Sequence, residues 1–107
     1  MYRVTTPTHT YTLPIETSTC KEILVTYKQN GITLDKHYEN GVLPDGMALD
    51  GKNVIVKLTQ AETKAFTATS AVHSQIRVLT NDDDAFASQT FTVLIGDVLN
   101  EEILADD

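Results

Sequence analysis

A chain of 107 residues with 41% hydrophobic and 21% charged side chains is one domain, long enough to hold a single apolar core, which excludes a disordered chain. Its net charge of −7, from 15 acidic and 8 basic residues, repels phosphate backbones and anionic lipid, so neither nucleic acid nor a membrane surface is an expected partner. The lone cysteine, Cys20, excludes an internal disulfide, and with no run of about 18 apolar residues and no basic-then-apolar leader, neither a membrane span nor a secretory signal is expected.

In chain order, most segments alternate apolar and polar residues with period two, the pattern of half-buried strands. "YRVTT" and "THTYTLPI" read as one strand broken at Pro7, or as two, and the proline points to a sheet edge. "EILVTYK" places Ile23, Val25 and Tyr27 on one face, and "ITLDKHY" places Ile32 and Leu34 on one face. Asn30-Gly31 stands between them, and that dipeptide between alternating runs predicts a hairpin, because both residues tolerate positive φ. "ENGVLPDGMALDG" is turn-rich, with one short edge strand around Met47 to Leu49. Asp50-Gly51 closes a second hairpin into "KNVIVKLT", with Val54, Val56 and Leu58 inward and Lys52 and Lys57 outward.

"LTQAETKAF" then interrupts the β pattern. Thr59 and Glu62 form a Thr-x-x-Glu capping box, which starts a helix. The expected element is a short helical crossover that carries the chain from one sheet into the other, with Phe66 plugging the core; a recognition helix has little support in so short a turn. "VHSQIRVLT" follows, with Val72, Ile76 and Val78 inward and His73, Gln75 and Arg77 outward. After the "NDDDA" turn, "FASQTFTVLI" runs back as a third hairpin, with Phe91, Val93 and Ile95 on one face. The expected inter-sheet core is Ile23, Val25, Val54, Val56, Ile76, Val78, Phe91 and Val93. In "DVLNEEILADD", Val98, Leu99, Glu102 and Ile103 fall at helical spacing. The expectation is a short acidic helical tail, which packs either on its own domain or on a neighbouring subunit, and these four residues are the candidate partner-binding surface.

No constellation for chemistry emerges. Three consecutive aspartates, Asp82, Asp83 and Asp84, lack the alternating ligand spacing that calcium needs. His9, His37 and His73 lie on separate segments, so neither a Cys20 nucleophile with its base nor a local metal site is expected. The chain has no Gly-x-Ser-x-Gly and no Gly-rich phosphate loop. No catalytic residue, cofactor, metal or small-molecule substrate is expected, and the protein is not expected to be an enzyme.

The order of "YRVTTPTHTYTLPIET", "ILVTYKQNG", "VIVKLTQAET" and "SQIRVLTNDDDAFASQTFTVLIGDVLNEEI" resembles the small proteins of tailed-phage and prophage structural gene clusters. It is also similar to the immunoglobulin-like N-terminal domain of phage upper baseplate proteins. There a strand ending Leu-Thr-Gln leads through a Glu-Thr turn to a strand of the type Gln-Ile-Arg-Val. A hairpin and a short acidic segment then follow. The likeness is strongest from Val54 to Ile103. It implies a non-catalytic virion structural protein, assembled in the bacterial host cytoplasm. Its expected place is the tail or baseplate, or the head or neck, in contact with other virion proteins or with copies of itself. The alternative is a carbohydrate- or host-surface-binding module on the same fold. The expected architecture is all-β. It is a two-layer antiparallel Ig-like sandwich of about seven strands over residues 1–96, with the crossover helix and an acidic helical tail over 97–107.

Overall fold

The structure, a computed structural model, describes residues 1–105. The chain is mostly β and forms two antiparallel sheets that share one core. Strand β1 (Thr8–Thr12) is followed by a single 3-10 turn at Thr17–Thr19, then by β2 (Cys20–Gln29) and β3 (Ile32–Glu39). Strands β4 (Met47–Asp50) and β5 (Asn53–Lys57) lead into helix α1 (Gln60–Lys64). Strands β6 (Val72–Thr80), β7 (Ala85–Ala87) and β8 (Phe91–Val93) complete the described elements. The small sheet has the order β1-β5-β4. The large sheet runs β3-β2-β6, with β7 and β8 paired one after the other along the remaining side of β6.

The local chemistry accounts for the turns. Asn30 takes a φ of 52° between Gln29 and Ile32, which pair directly. Gly51 takes a φ of 60° in the turn that pairs Asp50 with Asn53. Both conformations are left-handed, where Asn and Gly are least penalised. Pro7 precedes β1, which is an edge strand as the proline predicted.

The inward residues of both sheets are buried as alternation required. Val54, Val56 and Leu58 come from the small sheet and the chain just past it, and Ile23, Val25, Tyr27, Val72, Ile76 and Val78 from the large one. Phe66 is fully buried at the exit of α1. The capping box is formed: the Thr59 hydroxyl accepts from the Glu62 N–H at 3.1 Å, and the Glu62 carboxylate accepts from the Thr59 N–H at 2.9 Å. The crossover therefore does what its sequence indicated and moves the chain from β5 to β6. Its return loop is held by buried Gln29. The Gln29 amide nitrogen donates to the Thr67 and Ser70 carbonyls, both at 2.7 Å, and its oxygen accepts from the Thr67 N–H at 2.8 Å.

Three expectations are corrected. The return strand of the third hairpin is two strands, because Ser88 leaves the ladder: its N–H donates to the Ile76 carbonyl at 2.9 Å and its hydroxyl accepts from the Ile76 N–H at 3.1 Å. Phe91 is not in the core; it is 38% exposed, while Val93 packs partly buried against the core. The tail is not helical over its described residues, 97–105. There the Asp97 carboxylate accepts from the Val98 N–H, and the Asn100 side chain accepts from the Glu102 N–H, each at 2.9 Å. Such short side-chain bonds compete with the helix ladder, and so short a segment has no intrinsic helical stability to resist them.

Candidate functional site: a groove beside an uncovered sheet face

The two sheets do not match in width. The small sheet holds three strands, while the large one has β3, β2, β6 and then the β7–β8 row. Tyr11 on β1 reaches Ser74 on β6, and Lys36 on β3 reaches the Asp45 carbonyl just before β4. The small sheet therefore lies over β3, β2 and β6, and nothing in it lies over β7 and β8.

The consequence shows in burial. Phe86 opposes Val78, Phe91 opposes Ser74, and Val93 opposes Val72. Directly opposed residues of an antiparallel pair point to the same face. Val78, Ser74 and Val72 are buried inner-face residues, so Phe86, Phe91 and Val93 also point inward. Yet Phe86 and Phe91 stay 37% and 38% exposed, because no strand among the described residues covers them. A groove of about 570 Å³ results, walled by β1, Leu13 and Pro14 on one side and by Ile76, Phe86, Phe91 and Val93 on the other. The Tyr11 and Phe91 rings meet across it at 5.9 Å between centroids. Among the described residues, no acidic, lysine or arginine side chain lines it.

A polar chain runs beneath the groove and joins the sheets. The Tyr11 hydroxyl lies 2.5 Å from the Ser74 hydroxyl and donates to the Tyr27 hydroxyl at 3.1 Å; Tyr27 lies 2.7 Å from His9 Nδ1. With Tyr11 donating to Tyr27, a neutral His9 can take the Tyr27 proton as acceptor at Nδ1. Burial supports this by pushing the Tyr27 phenol up and the His9 imidazole down from its ordinary 6.5. The sign follows. A depressed histidine leaves the folded protein binding fewer protons than the unfolded chain, so this stability is fully present above about pH 6.5 and is lost as pH falls through the lower folded value. We expect the melting temperature to drop between pH 7 and pH 5, and His9→Gln to flatten that drop. An equal slope in the variant, by calorimetry, would remove His9 as its source.

No protein-family model matches the chain, and no curated protein is significantly similar to it.

The candidate tail residues are not brought together as one helical face. Leu99 stands wholly in solvent and Ile103 is 43% exposed. The tail is nonetheless fastened to the domain at two points. Arg3 pairs with Asp97 at 2.8 Å and with Glu101, while donating to the Phe66 and Lys64 carbonyls at 2.6 and 2.9 Å. Its hydrogen bond holds the Asp97 carboxyl below the usual carboxylate range. The Gln60 side chain brackets Leu104, accepting from its N–H at 2.8 Å and donating to its carbonyl at 3.1 Å. The tail thus lies on its own domain with polar contacts inward, Val98 partly buried, and Leu99, Glu102, Ile103 and Leu104 exposed.

Sequence spacing also missed a trio on the outer face of the large sheet. Glu22, His37 and Glu39 bring their ligand atoms within 4.8 Å of one another. Glu22 and Glu39 oppose each other across β2 and β3, and His37 reaches Glu22 at 2.9 Å and Glu39 at 3.8 Å. Both ring nitrogens face carboxylates, so the imidazole separates two like charges that would otherwise repel. These are the described residues best placed to hold a divalent metal, but all are at least partly exposed and each is on open strand surface. Cys20 is buried, which pushes its thiol up and away from nucleophilic use.

Proposed function

We propose that this protein is a non-catalytic binding domain of Ig-like architecture that works by protein–protein contact, as a structural component of a tailed-phage or prophage particle. The single observation that carries the contact reading is the apolar groove between β1 and the uncovered β7–β8 face. Two phenylalanines half-exposed on an inner sheet face are costly in water and gain by being covered, at about 25 cal/mol per Å² of apolar surface. The outward apolar side chains of Leu94, Leu99, Ile103 and Leu104 offer a second contact surface of the same kind. The particle assignment rests on the resemblance of the segment order. No metal, cofactor or small-molecule substrate enters this reading.

The carbohydrate-binding alternative gains one observation, since Tyr11, Phe86 and Phe91 all line the groove. Besides the Tyr11 hydroxyl, its polar lining among the described residues is His9, Thr10, Thr12 and Ser88, without the amides and carboxylates that would fix sugar hydroxyls in place. The experiment is mass spectrometry of purified particles from cells carrying the gene, with the native chain, Phe91→Ser and Leu99→Ser. The native chain should be present at a fixed copy ratio, and Phe91→Ser should be depleted at least about tenfold if it removes more than about 1.4 kcal/mol of contact. Native chain absent from the particles would overturn the particle assignment. Phe91→Ser incorporated like the native chain would overturn the groove as the contact.

A further inference from the structure

The groove also presents unpaired backbone, and this decides what kind of partner fits it. In the β1–β5 ladder, the Leu58 N–H donates to the Pro7 carbonyl and the Leu13 N–H to the Lys52 carbonyl. Both pairs continue the register in which Thr8 opposes Lys57 and Thr12 opposes Asn53. Hydrogen-bonded pairs alternate with non-bonded ones in an antiparallel ladder, so Pro7, His9, Tyr11 and Leu13 face β5. Thr8, Thr10 and Thr12 therefore turn their N–H and carbonyl groups to the free edge, directly above the uncovered β7–β8 face.

We propose that this edge and the face beneath it form a receptor for one extended strand of a different protein, which adds beside β1 as the fourth strand of the small sheet. The proposal rests on the contact reading above and names its partner's chemistry. A strand placed at the usual spacing of about 4.8 Å from β1 lies about 10 Å above β7–β8, the normal distance between stacked sheets. It needs apolar side chains at alternate positions to cover Phe86, Phe91 and Val93, and it spans about five residues to match β1.

Charge sets its flank. Pro14 leads toward Glu16, and β7 follows the Asp82–Asp84 turn. These two segments are tied together, since the Asn81 N–H donates to the Thr19 carbonyl at 2.8 Å and its side chain to the Ser18 carbonyl at 3.4 Å. The groove therefore ends near Glu16, Asp82 and Asp84, with Asp83 already paired to Lys21, and in a chain of net charge −7 this leaves an acidic corner where the strand should carry lysine or arginine. A second copy does not fit this description. Its own β1 has His9 and Tyr11 committed to its own core and only threonines outward, so it brings no apolar side chain to the groove. Its tail places Glu101 and Glu102 between Leu99 and Ile103, which puts like charge at the acidic corner.

The test uses the full chain, isotope-labelled, titrated with the probe acetyl-KKTVTVTVT-amide. The expected result is amide shifts at Thr8, Thr10 and Thr12, slowed hydrogen exchange at those amides, and shifts at the Phe86 and Phe91 rings. A probe with EE in place of KK should bind about fivefold more weakly at low salt, and one N-methylated on alternate residues facing β1 should not bind. Thr10→Pro removes an outward N–H without touching the β1–β5 ladder and should abolish probe binding. Phe91→Ser, checked by its melt, serves as the second variant if Thr10→Pro fails to fold. No shift at these amides at millimolar probe, or slow exchange of the Thr10 amide in the free protein, would overturn the receptor. A dimer by sedimentation that Thr10→Pro dissociates would give the groove to a second copy and overturn the partner. None of these outcomes depends on whether the chain is found in particles.

Discussion

Val78→Asp should abolish cooperative unfolding. Val78 is 4% exposed on β6, flanked by Ile23 on β2 and Phe86 on β7. A carboxylate there is buried without a partner, and the loss of roughly 4–5 kcal/mol or more is comparable with the whole stability of a small domain, about 5–15 kcal/mol. Val78→Ala, which only removes apolar volume, should cost about 2 kcal/mol. Arg77→Asp, one residue away on the outer face, should cost no more than about 0.5 kcal/mol. The contrast between neighbours is the substance of the prediction, because period-two facing is what separates them. Urea denaturation followed by circular dichroism measures all three. A Val78→Asp protein with a transition like that of Arg77→Asp would mean that β6 faces the other way.

Local pattern carried the strands and turns, and the structure departs from it where coverage by distant strands decides. Asn30-Gly31, Asp50-Gly51 and the Thr59–Glu62 box act within a few residues, so each was legible and each formed. Alternation places Phe91 in the core because it tells which face a residue takes. Alternation cannot tell whether another sheet covers that face, which depends on how many strands the small sheet recruits. The groove itself was hidden for a related reason. Phe86 and Phe91 are five residues apart, an odd spacing that sends them to opposite faces of an unbroken strand. They share a face only because Ser88 interrupts the ladder. The weakly apolar "ASQT" between them was the available signal. Lys36 is legible in the sequence: extending the Ile32, Leu34 alternation by two residues places it inward, where it is found.

That inward lysine supports the second large effect. Lys36→Ala should destabilise the protein by about 2–4 kcal/mol, the lower part of the range for removing one partner of a buried pair, since Glu62 keeps some contact with solvent. The Lys36 side chain is only 8% exposed; its ammonium lies 2.6 Å from Glu62 Oε2 and donates to the Asp45 carbonyl at 3.0 Å. Glu62 uses its other oxygen to accept from the Thr59 N–H in the capping box. One carboxylate thus fixes the start of α1 and tethers it to β3 and to the loop before β4. Thr63, fully buried on the same helix, ties the N-terminal segment down, with its hydroxyl donating to the Thr5 carbonyl at 2.9 Å and accepting from the Thr5 N–H at 3.0 Å. Loss of Lys36 leaves Glu62 facing an alanine-sized gap, so the damage should spread to the crossover. Lys36→Met with Glu62→Gln should recover most of the loss, because glutamine still completes the capping box and methionine refills the space with no charge left unpaired. Added salt should change the native stability little, as screening acts weakly on a pair so enclosed. Urea midpoints for the single and double variants decide it: a single variant costing under about 1 kcal/mol, or a double variant no better than the single, would show that the pair does not hold the crossover in place.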